Sequence, residues 1–242
     1  MNTKANSNGD AGSEPPQLER LDPKQIDRET TARAGIYTVM ATLLDEPDDS
    51  VYARLASGDT DAAVRDLLDS TGLSVEPPDL TVDDDHDTLC ARFNDLFTVG
   101  YAEYTDRTDG SLDSEGPRIS LYETSYRPEA AWNDVNLDLA RAYDYFGLEI
   151  DQSARDNHDY LPYQLEFAGY LARLEAASSD DAARARLDLH DRHLHVVASG
   201  LADRMAQEPG AKLYGELASF IDRFVAADQQ ALAERFEGGD GG

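Results

Sequence analysis

The sequence predicts an all-α fold, a single bundle-like domain of about eight or more helices. Three observations predict it. Apolar residues recur at spacings of three and four along nearly the whole chain, the period of a helix with one buried face. No segment alternates apolar and polar residues over the length of a strand. Capping residues precede these periodic runs, and Gly or Pro follows most of them.

The elements follow in order. Residues 1–26 are polar and rich in Asn, Gly, Ser and Pro, which predicts a flexible tail. The helical domain spans residues 27–236, and residues 237–242 form a short flexible end. The first helix is expected from Asp27 to Leu44, with Ile36, Val39, Met40, Leu43 and Leu44 inward and Pro47 as its stop. Ser50 is placed to cap a short helix carrying Val51, Leu55 and Ala56. A third helix runs from Asp59 to Ser70, with Gly72 beyond its end, and Pro77-Pro78 mark a linker. The next, from Asp83 to Gly100, buries Leu89, Phe93, Leu96 and Phe97. Residues 105–118 are rich in Asp, Gly and Ser and predict a long loop. Pro128 is placed to begin a helix carrying Trp132, Leu139, Tyr143 and Phe146, which Gly147 ends.

The run Asp159-Tyr160-Leu161-Pro162-Tyr163-Gln164-Leu165-Glu166-Phe167 opens the helix after that. Asp159 suits an N-cap, and Pro162 falls in the first turn, where a missing N–H costs little. Leu161, Leu165 and Ala168 share one direction, and Glu166 sits among apolar neighbours. Two further helices, from Asp180 to Gln207 and from Ala211 to Phe236, are separated by Pro209-Gly210.

Composition excludes several functions. The net charge is −28, Asp outnumbers Glu, and the only lysines are Lys4, Lys24 and Lys212. Such a surface stays hydrated in concentrated salt and points to a halophilic, haloarchaeal source. It repels nucleic acid and anionic membrane, and suits a basic peptide as partner. Cys90 is the single cysteine, so no intrachain disulfide can form, and its apolar setting predicts a core position. No apolar run reaches the ~20 residues needed to span a bilayer. The N-terminus lacks a secretory pattern, so a cytoplasmic location is expected. Phosphate-binding Gly-rich loops and the Gly-x-Ser-x-Gly nucleophile pattern are absent.

Taken together, several segments resemble the TorD/DmsD/NarJ family of cytoplasmic chaperones that mature molybdenum oxidoreductases. The run from Asp159 to Phe167 is similar to that family's helix-opening motif, with Tyr160 where a His is common and Gln164 where a second acid is common. Leu121-Tyr122-Glu123-Thr124-Ser125-Tyr126 resembles its Tyr-Glu-x-Ser-x-Tyr segment. Asn94-Asp95-Leu96-Phe97 and Leu213-Tyr214 fall where the family carries aromatic–leucine patterns. His193-Leu194 resembles a late His-Leu pair, with Val197 where a Trp is usual. The likeness spans about residues 30 to 225 and keeps the order of the segments.

The resemblance implies a non-enzymatic chaperone with no cofactor of its own. Its partners would be the immature catalytic subunit of a nitrate or DMSO/TMAO-type reductase and that subunit's twin-arginine signal. The oligomeric state stays open between monomer and dimer. Guanidinium groups are held best by carboxylates in fork geometry, and apolar signal residues by aromatic walls. On that basis Glu123, Asp159 and Glu166 are expected to hold or orient the basic part, and Tyr122, Tyr126, Trp132 and Tyr160 to line a groove. His158, between Asp156 and Asp159, reads as a solvated loop residue, with a switch, a ligand or an offset counterpart of the family's Asp-His pair as alternatives. Asp159 also suits a plain cap, Glu166 a buried acid holding a neighbouring helix, and Trp132 plain core. A competing reading uses His190, His193 and His195 as metal ligands of a helical enzyme, although the spacing departs from His-Glu-x-x-His. Another makes the chain a permanent helical subunit of a redox complex.

Overall fold

The computed structural model describes residues 2–3, 26–98, 100–103, 113–150 and 156–238. Nine α-helices order the described residues: α1 (Arg28–Leu43), α2 (Asp49–Ala56), α3 (Asp59–Asp69), α4 (His86–Phe97), α5 (Trp132–Tyr145), α6 (Leu161–Ala176), α7 (Asp180–Leu189), α8 (His195–Met205) and α9 (Leu213–Glu237). A π-helical turn, His190–Leu194, joins α7 to α8 without leaving helical dihedrals. The two therefore run on as one rod, and the all-α expectation holds.

Two short antiparallel strand pairs supplement the helices. β1 (Asn2–Thr3) pairs with β4 (Leu148–Glu149), and β2 (Gly100–Glu103) pairs with β3 (Asp113–Pro117). β3 replaces part of the loop expected at 105–118. Most of the expected tail, and most of the C-terminal end, lie outside the described residues.

The sequence explains where most helices start. Asp27 accepts from the Thr30 N–H at 2.9 Å to open α1. Asp48, not Ser50, opens α2 by accepting from Val51 N–H at 2.8 Å. Asp85 opens α4 in the same way through Thr88 N–H at 2.9 Å. Gly58 precedes α3 at φ +79°, a conformation that disfavours residues bearing a Cβ. Pro128 does not begin α5; a 3₁₀ turn, Glu123–Tyr126, precedes it and α5 opens at Trp132.

The core is apolar and continuous, from Ile36, Tyr37 and Met40 of α1 through Leu165 and Leu171 of α6 to Phe220 and Phe224 of α9. α1 packs most extensively against α6. Gly169 makes that approach possible, because a Cβ there would lie 3.2 Å from Tyr37 Cβ and 3.3 Å from the Ala34 carbonyl oxygen.

A polar cluster sits inside this core. Arg186, fully buried, donates to Asp228 and to Glu175. Tyr37 donates to Asp228 at 2.6 Å, and its hydroxyl also lies 2.9 Å from His190 Nε2. Arg33 completes the group at 3.3 Å from Asp228. The Arg186 guanidinium, followed by His190, holds the Asp228 carboxyl far below the ordinary range despite its burial. These contacts tie α1, α6, α7 and α9 to one another.

Candidate functional site

The 3₁₀ turn and the start of α6 meet through backbone pairing. Tyr122 and Tyr160 form an antiparallel bridge; Glu123 N–H donates to Asp159 O at 3.0 Å and Leu161 N–H to Leu121 O at 2.7 Å. This bridge brings together two segments that lie 38 positions apart (160 minus 122) in the chain. It sets two acids beneath and two tyrosines above.

Glu123 is fully buried and fully answered. Arg127 donates to its Oε1 at 2.6 Å, Gln164 Nε2 donates to its Oε2 at 3.0 Å, and His193 Nδ1 lies 3.1 Å from both oxygens. His193 Nε2 lies 3.0 Å from Asp138 of α5, so the ring bridges two carboxylates. Arg127 also donates to the Arg192 carbonyl at 2.8 Å, which fastens the 3₁₀ turn to the π turn.

Asp159 is different. It does not cap α6: Tyr160 occupies the cap position and makes no side-chain bond there. Its Oδ2 instead accepts from the Thr124 N–H at 3.1 Å and the Thr124 hydroxyl at 2.7 Å. Its own N–H donates to Asn136 at 3.3 Å. The side chain is fully buried, yet Oδ1 has no hydrogen-bond partner, and among the described residues no cationic side chain forms an ion pair with it. Buried carboxylates are ordinarily paired, because an uncompensated charge in a poorly solvated interior is costly. The Gln164 Oε1 is also without a partner. Its amide orientation is fixed, since Nε2 faces two acceptors, Glu123 Oε2 and Asp159 O.

Above this floor lies a rim of tyrosines and acids. The Tyr122 and Tyr160 rings are 5.3 Å apart, and Tyr160 meets Tyr163 edge-on at 5.2 Å. Tyr122 donates to Asp156. Burial, and then the neighbouring carboxylates, push both the Tyr122 and Tyr160 phenols well above their usual range. Glu166 is exposed here, on the outer side of α6, and is not the buried acid considered as an alternative. Asp45, just beyond the end of α1, joins it. Desolvation, then the charges of Glu166 and Asp156, raise the Asp45 carboxyl.

Among the residues singled out from sequence, Tyr122, Tyr160 and Glu166 fall on this rim, and Glu123 and Asp159 beneath it. His158 adjoins it but is packed: its ring stacks on Tyr143 at 6.0 Å, and burial lowers its pKa. Tyr126 turns towards α8, and burial pushes its phenol up to about 12. Trp132 is neither core nor rim; it stands 52% exposed at the start of α5. Sequence reasoning missed Asp45, Asp156, Tyr163 and Gln164 as parts of the site. The acid-rich composition gave no signal by which the two acids could be picked out.

The histidines do not converge. His190 faces Tyr37 and Asp228, His193 faces Glu123 and Asp138, and the exposed His195 reaches back to the His190 carbonyl at 2.8 Å. Among the described residues no three His, Cys, Asp or Glu side chains are placed to share a metal ion. Cys90 is half-buried rather than core, with Sγ 3.4 Å from the Pro47 carbonyl oxygen. No helix among the described residues is long and apolar enough to cross a membrane.

The described residues thus form a helical bundle with two buried acids, Glu123 and Asp159, beneath a tyrosine–carboxylate rim. Residues 83–199 match the family model described as nitrate reductase delta subunit. The chain is 27% identical over 210 residues to the selenate reductase assembly chaperone protein of Thauera selenatis, covering 84% of this chain and 91% of that one. It is 26% identical over 212 residues to the chlorate reductase assembly chaperone protein of Ideonella dechloratans, with the same coverage of 84% and 91%. A perchlorate reductase assembly chaperone protein of Dechloromonas aromatica is 26% identical over 122 residues, 48% of this chain and 54% of that one. The chain is thus similar to reductase assembly chaperones and, over residues 83–199, to the nitrate reductase delta subunit family.

Proposed function

We propose that this protein is a cytoplasmic assembly chaperone for the catalytic subunit of a molybdopterin oxidoreductase. It holds the immature subunit while the cofactor is inserted, and it binds the subunit's basic, twin-arginine signal segment at the rim formed by Tyr122, Asp156, Tyr160 and Glu166. Similarity to reductase assembly chaperones supports the class. One observation carries the binding reading: Asp159 is a fully buried carboxylate with an unpartnered Oδ1 and, among the described residues, no paired cation. It lies directly below a surface of aromatic rings and acids.

A guanidinium group supplies what that arrangement lacks. Its N–H donors suit Asp159 Oδ1 and Gln164 Oε1, its plane suits the faces of Tyr122 and Tyr160, and its charge suits Asp45, Asp156 and Glu166. A chaperone that engages only the unfinished subunit shifts that subunit's population away from early export or aggregation, and no covalent step is needed. Folding of the client would remove the bound segment and release the chaperone.

The test is isothermal titration of a synthetic peptide, two adjacent arginines followed by an apolar stretch, into the wild type and Asp159→Asn. A loss of affinity of about tenfold or more in the variant, equivalent to ~1.4 kcal/mol, is expected. Equal affinity in both proteins would remove Asp159 from the site.

A further inference from the structure

α8 packs against the 3₁₀ turn, and Gly200 is a point of close approach. A Cβ at Gly200 would stand 2.3 Å from Tyr126 Cδ1, 2.6 Å from Cγ and 3.0 Å from Cβ. These are the near atoms of the ring and not the far end of a flexible chain, so the ring could not yield by a small adjustment. Gly200 does not have a positive φ, so its backbone does not call for glycine. Glycine is also a poor helix former, and α8 would gain from alanine there. What glycine supplies at this position is room for one aromatic ring.

That ring is a strut. The Tyr126 hydroxyl donates to the Ser120 carbonyl at 2.6 Å, and the Arg204 guanidinium lies 5.8 Å from the ring centroid. The ring is thereby fixed on α8 at one end of the turn Glu123–Tyr126. The same turn presents the Thr124 N–H and hydroxyl to Asp159 Oδ2, and Glu123 to Gln164.

We infer that Gly200 is a positioning residue for the client-binding floor: it seats Tyr126, and through Tyr126 it sets the turn that orients Asp159 and Glu123. The consequence for client affinity rests on the proposed function; the placement of the turn does not.

Amide hydrogen exchange at Thr124, measured by NMR on the full chain, reads the placement directly. Gly200→Ala should speed Thr124 exchange by about tenfold or more, while the amides of α8 keep or gain protection. A purely helical effect would only slow exchange, since alanine strengthens α8. In a Tyr126→Ala background the clash is gone, so adding Gly200→Ala should leave Thr124 exchange unchanged. Wild-type exchange in Gly200→Ala, or acceleration that persists without the Tyr126 ring, would overturn the inference. If Gly200→Ala fails to fold, Tyr126→Ala and Gly200→Ala/Tyr126→Ala still decide it: equal Thr124 exchange supports the seat, and faster exchange in the double variant refutes it.

The two-arginine peptide separates this inference from the function it rests on. Weaker binding to Gly200→Ala than to the wild type supports the positioning role. Equal binding alongside accelerated exchange overturns that role. A peptide that binds neither protein overturns the client-binding reading and leaves the exchange result standing.

Discussion

Arg186→Met should cost more stability than any surface change in this molecule. Arg186 is fully buried between two acids, Asp228 at 0% and Glu175 at 5% side-chain exposure. Methionine fills much of the same volume and removes the charge, leaving both carboxylates in the core. Removing one partner of a buried pair costs about 3–5 kcal/mol. Two cations remain: Arg33 still reaches Asp228 at 3.3 Å, and Arg235 reaches Glu175 at 2.7 Å. Both are partly solvated, so the expected loss is near the lower end, about 3 kcal/mol. Urea titration followed by circular dichroism, in concentrated KCl at neutral pH, measures it. The charge-free pair Arg186→Met/Asp228→Leu should recover part of the loss, because the stranded carboxylate is gone. A loss below about 1 kcal/mol for Arg186→Met, typical of a modest substitution, would refute the view that this network locks the helices.

The same network fixes a pH dependence. The Asp228 carboxyl is held far below its ordinary value of 3.8, so the folded state binds fewer protons than the unfolded state in acid. Its stabilisation is complete above that unfolded value and is lost as pH falls below it. Acid titration of the wild type should show this decline, and Asp228→Asn should flatten it. Gly169→Leu should destabilise by about 1–3 kcal/mol through overpacking of α1 against α6; an unchanged urea midpoint would contradict the close approach. Trp132, the only tryptophan, is 52% exposed, so its fluorescence should be readily quenched by iodide and Trp132→Ala should change stability by no more than about 0.5 kcal/mol. Solubility should rise with added KCl if the −28 net charge reflects adaptation to salt.

The helices were legible because burial repeats with their period. Ile36 and Met40 of α1, and Leu161, Leu165 and Ala168 of α6, are all fully buried as the spacing predicts. Polar side chains inside the fold were not legible, since their partners are distant in sequence. Tyr37 lies outside the stripe predicted for α1, yet it is fully buried and its hydroxyl meets Asp228 of α9. Asp159 looks like a helix cap by position, but its carboxylate turns to Thr124, whose location is fixed by the Tyr122–Tyr160 bridge. Glu166 and Gln164 differ in a way the motif did not foretell: the amide is fully buried and answers Glu123, while the acid faces outward. The π turn left no mark in composition or periodicity, although it carries both buried histidines, His190 and His193. The candidate site was thus half legible. The motif residues could be named from sequence, but which of them form floor, rim or strut depends on tertiary pairing.

Affinity capture tests the central claim most directly. Tagged protein, expressed in its own cells and retrieved under native salt, should bring down the catalytic subunit of a molybdopterin oxidoreductase, lacking its cofactor and retaining its N-terminal segment. Capture of that subunit only in its mature, cofactor-loaded form, or of unrelated proteins alone, would contradict the account.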